Sequence, residues 1–575
     1  MIVPVFLFFH AVLATSIAYL LSLASQGLDA RVALVSLVLA LPLALLPARR
    51  FADLPRLPLN ALEWGIAVLV TAFCFGHFQG ILLTGPDSYG TRDVMNFGDL
   101  PLHISYLRSF VDGTAFPPPN PGYPTDPLRY PLGADLYNAL WEAVGADTAL
   151  HLMLTGFVTI LLCVALLLRF GGWWALGGMF LNISWVTTAA MVAPAGWDGI
   201  DFQNGTQFKN LTLALMVPQR SMLFALPIGL MLILALDGHA SGKRPLARNA
   251  QVMLGLLWGV MPLFHLHAFV AVSLILGLVA LARGGLRGAG RLLSGPMALT
   301  AYLPAILLVL HSTAWLQKAG VAHITLGWMA GDQPFLPFLW DNFGLWLALP
   351  LAVAACLWAD RNAPDARATR RMAIGTVALF ALFFTVMLAP WDWDNIKLII
   401  WPWLLLLALA ERLVQPRLDR LGRAAAPVAA ALLLAPAVLL LAYSLRSGGT
   451  NGYGLIARDE VIGTEAAVEA LPKDAVFAAS RRVNHPLDWL GRFRVLGYEG
   501  HLWSHGIDTA PRDALLQKLM QGAPDWSEAA RALGIDYIYW GPPEVQEYGP
   551  DPRPWMATLE NVSTMPGFAV YALPD

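Results

Sequence analysis

Eleven apolar runs dominate this chain, at residues 3–25, 31–47, 61–84, 148–168, 173–193, 211–236, 296–316, 343–360, 372–390, 398–411 and 425–445. A helix needs roughly 17–25 predominantly apolar residues to cross a bilayer, so all but the short run at 398–411 are long enough. The stretch 251–282 is too long for one straight span and is broken by Met261-Pro262-Leu263-Phe264-His265-Leu266-His267, so it reads as two short helices meeting at that break. Together these make 13 passes. With 57% hydrophobic and 13% charged residues, the chain lies far from the ~25% charge of soluble domains, and a water-soluble globule is excluded.

Basic residues orient the spans, because Lys- and Arg-rich loops stay on the cytoplasmic side. Arg49, Arg50 and Arg56 mark one such loop and Arg169 another. Lys243, Arg244 and Arg248, then Arg283, Arg287 and Arg291, mark two more; Arg361, Arg367, Arg370 and Arg371, then Arg412, Arg417, Arg420 and Arg423, complete the set. The loops between them offer little beyond Arg31, Lys209, Lys318 and Lys397. This pattern puts the N-terminus in the cytoplasm and the C-terminus outside. The first segment, Val3 to Ser25, lacks a basic leader and reads as a retained span. An Ala-, Leu- and Arg-rich composition suits a bacterial inner membrane with a periplasmic outer side; an endoplasmic-reticulum lumen would obey the same rule. The sequons at Asn182, Asn204, Asn210 and Asn561 do not distinguish them. Cys74, Cys163 and Cys356 all sit in apolar runs, which offers neither a disulfide framework nor a C-x-x-C metal site.

Two outer regions are large. The expected division is a membrane domain, 1–445, which includes the outer loop 85–147, and a soluble extracytoplasmic α/β domain, 446–575. In the loop, two helical patterns at Leu100–Val111 and Ala134–Val144 suit helices lying along the membrane surface. In the tail, a charged helix is expected at Ala457–Ala470, with apolar strands at Ala475–Ala479, Asp536–Trp540 and Phe568–Leu573. The fold class is therefore mainly α, a polytopic transmembrane bundle of about 13 spans with a small C-terminal α/β domain.

Four stretches carry candidate chemistry. In the acidic outer loop, Asp99 falls at the N-cap position of an expected helix with His103 four residues on, so both can face one site; the alternative is that Asp99 only caps the helix. Arg220, about nine residues into a span and roughly 14 Å along it, needs an anionic partner or a wet cavity, since an ionised Arg near mid-bilayer costs from about 2.5 to over 10 kcal/mol. Trp391-Asp392-Trp393-Asp394-Asn395-Ile396-Lys397 joins two spans. Its D-x-D can hold Mg²⁺ or Mn²⁺, or it can be a hydrated turn with interfacial tryptophans, and Lys397 is placed to meet a phosphate. His265 and His267 would diverge by about 200° on a regular helix, so only an irregular backbone lets both face one ligand; buried, hydrogen-bonded histidines are the alternative. Asp198, Asp201, Gln203, His323, Asp332 and Asp341 add further outer polar groups.

Many spans, a long acidic first outer loop with surface-lying helices, charges at the outer edge of later spans and a soluble outer α/β tail resemble the GT-C superfamily of membrane glycosyltransferases. The stretches at Asp99, Arg220, His265 and Asp394–Lys397 add to the likeness. The resemblance implies transfer of a sugar from a polyprenyl-phosphate or polyprenyl-diphosphate carrier, at the outer leaflet, to a glycan, lipid or protein acceptor, usually with inversion. It implies Asp99, with His103 beside it, as the general base, and Arg220 and Lys397 as neutralisers of the departing phosphate; His265, His267, Asp394 and Asn395 would contact substrate. Asp87 and Asp93 compete for the role of base. The acidic loop of that family commonly follows the first span, whereas here it follows the third, which makes two spans N-terminal additions. A lipid-linked glycan transporter, a flippase or a polymer-assembly scaffold is the alternative class. Against a transporter, no duplicated half is visible and the polar residues gather on one side of the membrane. With 37 basic and 39 acidic residues, no basic surface suggests nucleic acid.

Overall fold

The computed structural model describes residues 2–52, 58–186, 207–313, 322–363, 365–447 and 452–574. Arg56, Asp198, Asp201, Gln203, Asn204 and Lys318 lie outside the described residues. Among the described residues, nine helical stretches are long and apolar enough to cross a membrane: Ile2–Ser25, Ala30–Arg50, Ala61–Gln79, Thr148–Phe180, Met222–Ala240, Leu266–Leu293, Phe335–Ala359, Asp392–Leu421 and Ala425–Arg446. The chain is an integral membrane protein.

Nine is fewer than the 13 expected, for identifiable reasons. Residues 251–264 form two short helices, Arg248–Gly259 and Met261–Phe264, and the break at His265 falls where the sequence placed it. The helix Ala366–Phe383 carries Arg367, Arg370 and Arg371 near its start, which leaves 372–383 as a short apolar part, and the helix Pro296–Ser312, with 17 residues, is at the lower limit for a span. The expected spans 148–168 and 173–193 are joined in one element, Thr148–Phe180, broken by Gly171 and Gly172; at Gly172, φ is 54°, which only glycine adopts readily. Beyond that break the chain runs antiparallel to the helix Ile396–Leu413. Trp173 and Trp174 both donate to Gln415 Oε1, and further along Trp403 Nε1 donates to the Gly178 carbonyl.

The expected span 211–236 opens irregularly, with a π-helix at Thr212–Met216 and a turn before the regular helix starts at Met222. Polar backbone freed inside a membrane bundle must find partners there. Asn210 Nδ2 donates to the Phe180 and Asn182 carbonyls, while Asn182 Oδ1 accepts from Leu211 N. Both asparagines are buried, so these two sequons are structural amides rather than glycan acceptors.

On one face of the bundle, the expected loop helices are present as Asn96–Val111 and Gly133–Ala143. The tail contains a five-stranded sheet in the order Glu560–Asn561, Ala569–Ala572, Tyr537–Trp540, Val476–Ala478, Phe493–Arg494. Tyr537–Trp540 runs parallel to Val476–Ala478 and antiparallel to Ala569–Ala572. Strand alternation gives the sheet two apolar faces: Ile538 packs with Leu516, Leu519 and Trp555, and Tyr539 with Phe477, Leu487 and Val570. The tail is not a detached module. Ahead of the expected helix, which is present at Arg458–Val468, the strand Tyr453–Ala457 pairs antiparallel with loop strand Ser88–Thr91.

Close helix packing supplies a test. A Cβ on Gly229 would lie 2.2 Å from the Trp401 ring, whereas one on Gly65 meets nothing within 4 Å. Gly229→Val should cost about 1–3 kcal/mol by overpacking, and Gly65→Ala should be neutral or stabilising by up to about 1 kcal/mol. Thermal unfolding of the two variants in one detergent checks both.

A candidate active site between the bundle and the tail

A cavity of about 810 Å³ opens where the loop helix Asn96–Val111, the ends of several membrane helices and the tail converge. Asp99, Arg129, Tyr130, Gln219, His265, His267, Asp394 and Lys397 line it, and the tail adds Tyr498, His501, Trp503 and His505. Its volume lies within the ~300–1,000 Å³ of small-molecule sites.

Asp99 is not the N-cap of its helix. The helix begins at Asn96 with Met95 in the cap position, because Asp93 Oδ1 accepts from Met95 N and starts the turn earlier. The Asp99 side chain is thus released from capping. It lines the cavity, and its Oδ2 accepts from Gln219 Nε2 at 3.2 Å. Burial pushes its carboxyl above the usual range, against the pull of His103 and Lys397. Neither competing acid lines the cavity: Asp93 is buried behind the turn, where desolvation pushes it up to about 7, and Asp87 is exposed in the loop hairpin.

The other expected site residues divide. His265 and His267 both line the cavity because the backbone at His265 is extended (φ −163°, ψ 107°); this irregularity brings together rings that a helix would separate, with centroids 6.0 Å apart. His265 Nδ1 also caps the next helix by accepting from Ala268 N, whereas buried His267 Nε2 has no partner. Lys397 pairs with Asp394 at 2.9 Å, and both face the cavity.

Three expected residues stand outside the lining. Asn395 is a latch: Oδ1 accepts from Leu388 N, and Nδ2 donates to the Phe383 and Val386 carbonyls. His103, 2% exposed, donates Nδ1–H to Asp135 Oδ1 at 2.8 Å. Arg220, 1% exposed, donates to the Leu152 carbonyl and lies over the Phe78 ring, with Nε and Nη1 unpartnered. Counting depth along a straight helix failed for Arg220 because residues 212–221 are a π-helix and a turn, which send Gln219 and Ser221 to the cavity and Arg220 away from it.

The D-x-D lies on a 3₁₀ turn, Asp392–Asn395, where residues two apart point about 120° apart. Asp392 accordingly pairs with His323 at 2.6 Å and Asp394 with Lys397. Among the described residues, no group of three or more His, Cys, Asp or Glu side chains is arranged to hold a metal ion. The two carboxylates of the D-x-D are thus not aimed at one Mg²⁺ or Mn²⁺ ion.

Sequence reading missed Arg129 and the tail histidines as part of one site. Arg129 pairs with Asp126 through Nη2 at 2.6 Å, and its buried Nε has no partner. His505 packs on the Tyr130 ring, with a buried, unpartnered Nδ1. The Pro-rich turns around Arg129 and the weak helical pattern near 500 gave no signal that these segments meet.

No family model matches this chain, and no curated protein matches it. Among solved structures, the Archaeoglobus fulgidus oligosaccharyltransferase in its apo form aligns over 83% of this chain and 69% of its own, with 11% identity and a TM-score of 0.42. The same enzyme, tethered by a disulfide to an acceptor peptide containing the NVT sequon, aligns over 83% and 68%, with 11% identity and a TM-score of 0.39.

Burial, reinforced by His501, lowers the pKa of His505 from 6.5 to about 3. Between those values the unfolded chain binds a proton at this position that the native chain does not, so stability falls as pH drops through the window. His505→Gln removes this contribution, so the stability of the wild type relative to the variant should shrink as pH is lowered from 7 to 5. Thermal unfolding of both proteins at stepped pH measures it.

Proposed function

We propose that this cavity is the active site of a membrane glycosyltransferase, which moves a sugar from a polyprenyl-phosphate carrier to a glycan, lipid or protein acceptor on the outer side of the membrane. The observation that carries the reading is the meeting, at the end of the membrane bundle, of a half-buried carboxylate of raised pKa with two cations, Lys397 and Arg129. The reaction needs a base for the acceptor and charge stabilisation for the leaving phosphate. In this reading Asp99 takes the proton of the acceptor hydroxyl or amide as the acceptor atom attacks the anomeric carbon from the face opposite the carrier. The bond between that carbon and the phosphate oxygen breaks, and the electron pair leaves on the phosphate. Gln219 holds Asp99 Oδ2, which leaves Oδ1 for the proton. Burial, by raising the pKa of Asp99 above the usual carboxylate value, makes its carboxylate a stronger base.

Lys397 and Arg129 would meet the phosphate, the first by releasing Asp394 and the second through its unpartnered Nε. His267 Nε2 and His505 Nδ1, both buried without partners, are further polar contacts for the phosphate or the sugar hydroxyls. Arg220 has no part in phosphate binding in this reading; its guanidinium supports the core beneath the site. The basic loops support a cytoplasmic N-terminus and an outer tail, periplasmic if the host membrane is a bacterial inner membrane.

The test is turnover by the purified protein in nanodiscs with a panel of polyprenyl-phosphate sugars. Asp99→Asn should lower transfer by about 10²–10⁴-fold, the usual contribution of a general base, while donor-induced thermal stabilisation persists. Lys397→Met should weaken donor binding. Undiminished turnover in Asp99→Asn would refute Asp99 as base, and donor translocation without sugar transfer would establish the transporter class instead.

A further inference from the structure

The first turn of the helix Asn96–Val111, which presents Asp99, is poorly held by its own helix. Pro101 has no N–H to give the Phe97 carbonyl, and a proline ring at that position crowds the carbonyl four residues back. The cap residue, Met95, contributes no side-chain hydrogen bond, and the amides of Asn96 and Phe97 are met by the Asp93 and Val94 carbonyls of the preceding turn. Contacts from other parts of the chain hold the turn as well. Asn96 Nδ2 donates to Thr91 Oγ1 at 3.1 Å, Gln219 donates to Asp99 itself, and His501 Nε2 lies 3.0 Å from the Gly98 carbonyl. A carbonyl only accepts, so His501 Nε2 carries the hydrogen. Of these three pins, one comes from the loop strand, one from the membrane bundle and one from the tail.

The tail's pin is itself firmly seated. His501 lies in the short helix Glu499–Ser504, its ring meets Tyr498 edge-on with centroids 5.0 Å apart, and Gly497 N donates to the Gly122 carbonyl at 2.7 Å. We infer that His501 is a positioning residue, through which the tail sets the place of Asp99 in the cavity by holding the Gly98 carbonyl. The inference rests on the proposed role of Asp99 for its kinetic consequence but not for its structural one. It gives the tail a function in the reaction beyond closing the cavity wall, and it requires the tail to be docked before the site is complete.

The experiment uses the full-length protein in nanodiscs, as wild type, His501→Ala and His501→Gln; glutamine retains an N–H donor of similar reach. Hydrogen exchange of the amides at 96–102 should accelerate in His501→Ala and return toward wild type in His501→Gln, with the sheet strand 537–540 unchanged in both. With a polyprenyl-phosphate sugar that the wild type turns over, His501→Ala should lower kcat about 10- to 100-fold, the scale expected for a misplaced catalytic group. The donor KM should stay within about twofold, the acidic limb of the pH–rate profile should shift, and glutamine should restore most of the loss. Unchanged exchange at 96–102 in His501→Ala overturns the inference whether or not any donor is turned over. Altered exchange with unchanged kcat and pH profile overturns the kinetic role. A wild type that turns over no donor while exchange responds as expected counts against the proposed function and leaves the coupling between tail and loop established.

Discussion

The antiparallel pairing of Ser88–Thr91 with Tyr453–Ala457 is the interaction on which the site depends. With Leu83–Thr84 paired on the other side of Ser88–Thr91 they form a three-stranded sheet of two to five residues per strand, which has little stability alone. It persists here because both strands are anchored, one by the loop that leaves the third membrane helix and one by the tail. Their backbone bonds join segments far apart in sequence, and the tail's second contacts, Arg494 N to the Pro121 carbonyl and Gly497 N to Gly122, extend the seam. With the seam closed, Tyr498, His501, Trp503 and His505 become a wall of the cavity. Without it the membrane bundle would present Asp99 and Lys397 to open solvent, where Coulomb interactions are several-fold weaker.

Outside the cavity lining, His103, Asp135 and Arg220 are buried polar groups. His103 and Asp135 are paired, while Arg220 keeps two nitrogens without partners close enough to Asp135 to interact electrostatically. Removing one member of the His103–Asp135 pair leaves the buried polar atoms of the other without their partner, a cost of about 1–3 kcal/mol. The residues that the resemblance marked as chemistry are thus of two kinds, those that line the cavity and those buried outside its lining. Arg220, His103 and Asn395 are of the second kind.

How far the chain was legible follows from what each signal measures. The apolar runs, the break at His265 and the tail strands at 476–478, 537–540 and 569–572 were readable because hydrophobic length and alternation are local properties. The boundary at Asp99 was misread by one helical turn, since Asp93 opens the turn at Met95 and the sequence-level cap rule does not rank successive acids. The D-x-D was legible as a turn but not as two carboxylates aimed at different cations, which the 3₁₀ geometry decides. The strand at 453–457 could not be read, because its partner lies in another region of the chain.

The amino-acid sequence by itself determined that this chain enters a membrane, where its helices run, that an α/β tail follows them, and that Asp99, His265, His267, Asp394 and Lys397 are polar groups placed near one end of the bundle. Each conclusion depends on residues within one or two helical turns of each other. Only the tertiary structure decided that Arg129 and the tail histidines join them, that Arg220 and Asn395 turn away, and that Asp99 is held by Gln219 and, through its neighbour Gly98, by His501. The physical reason is that convergence depends on where non-local backbone and side-chain hydrogen bonds close, and on which way an irregular turn sends successive side chains. Neither is encoded in local periodicity.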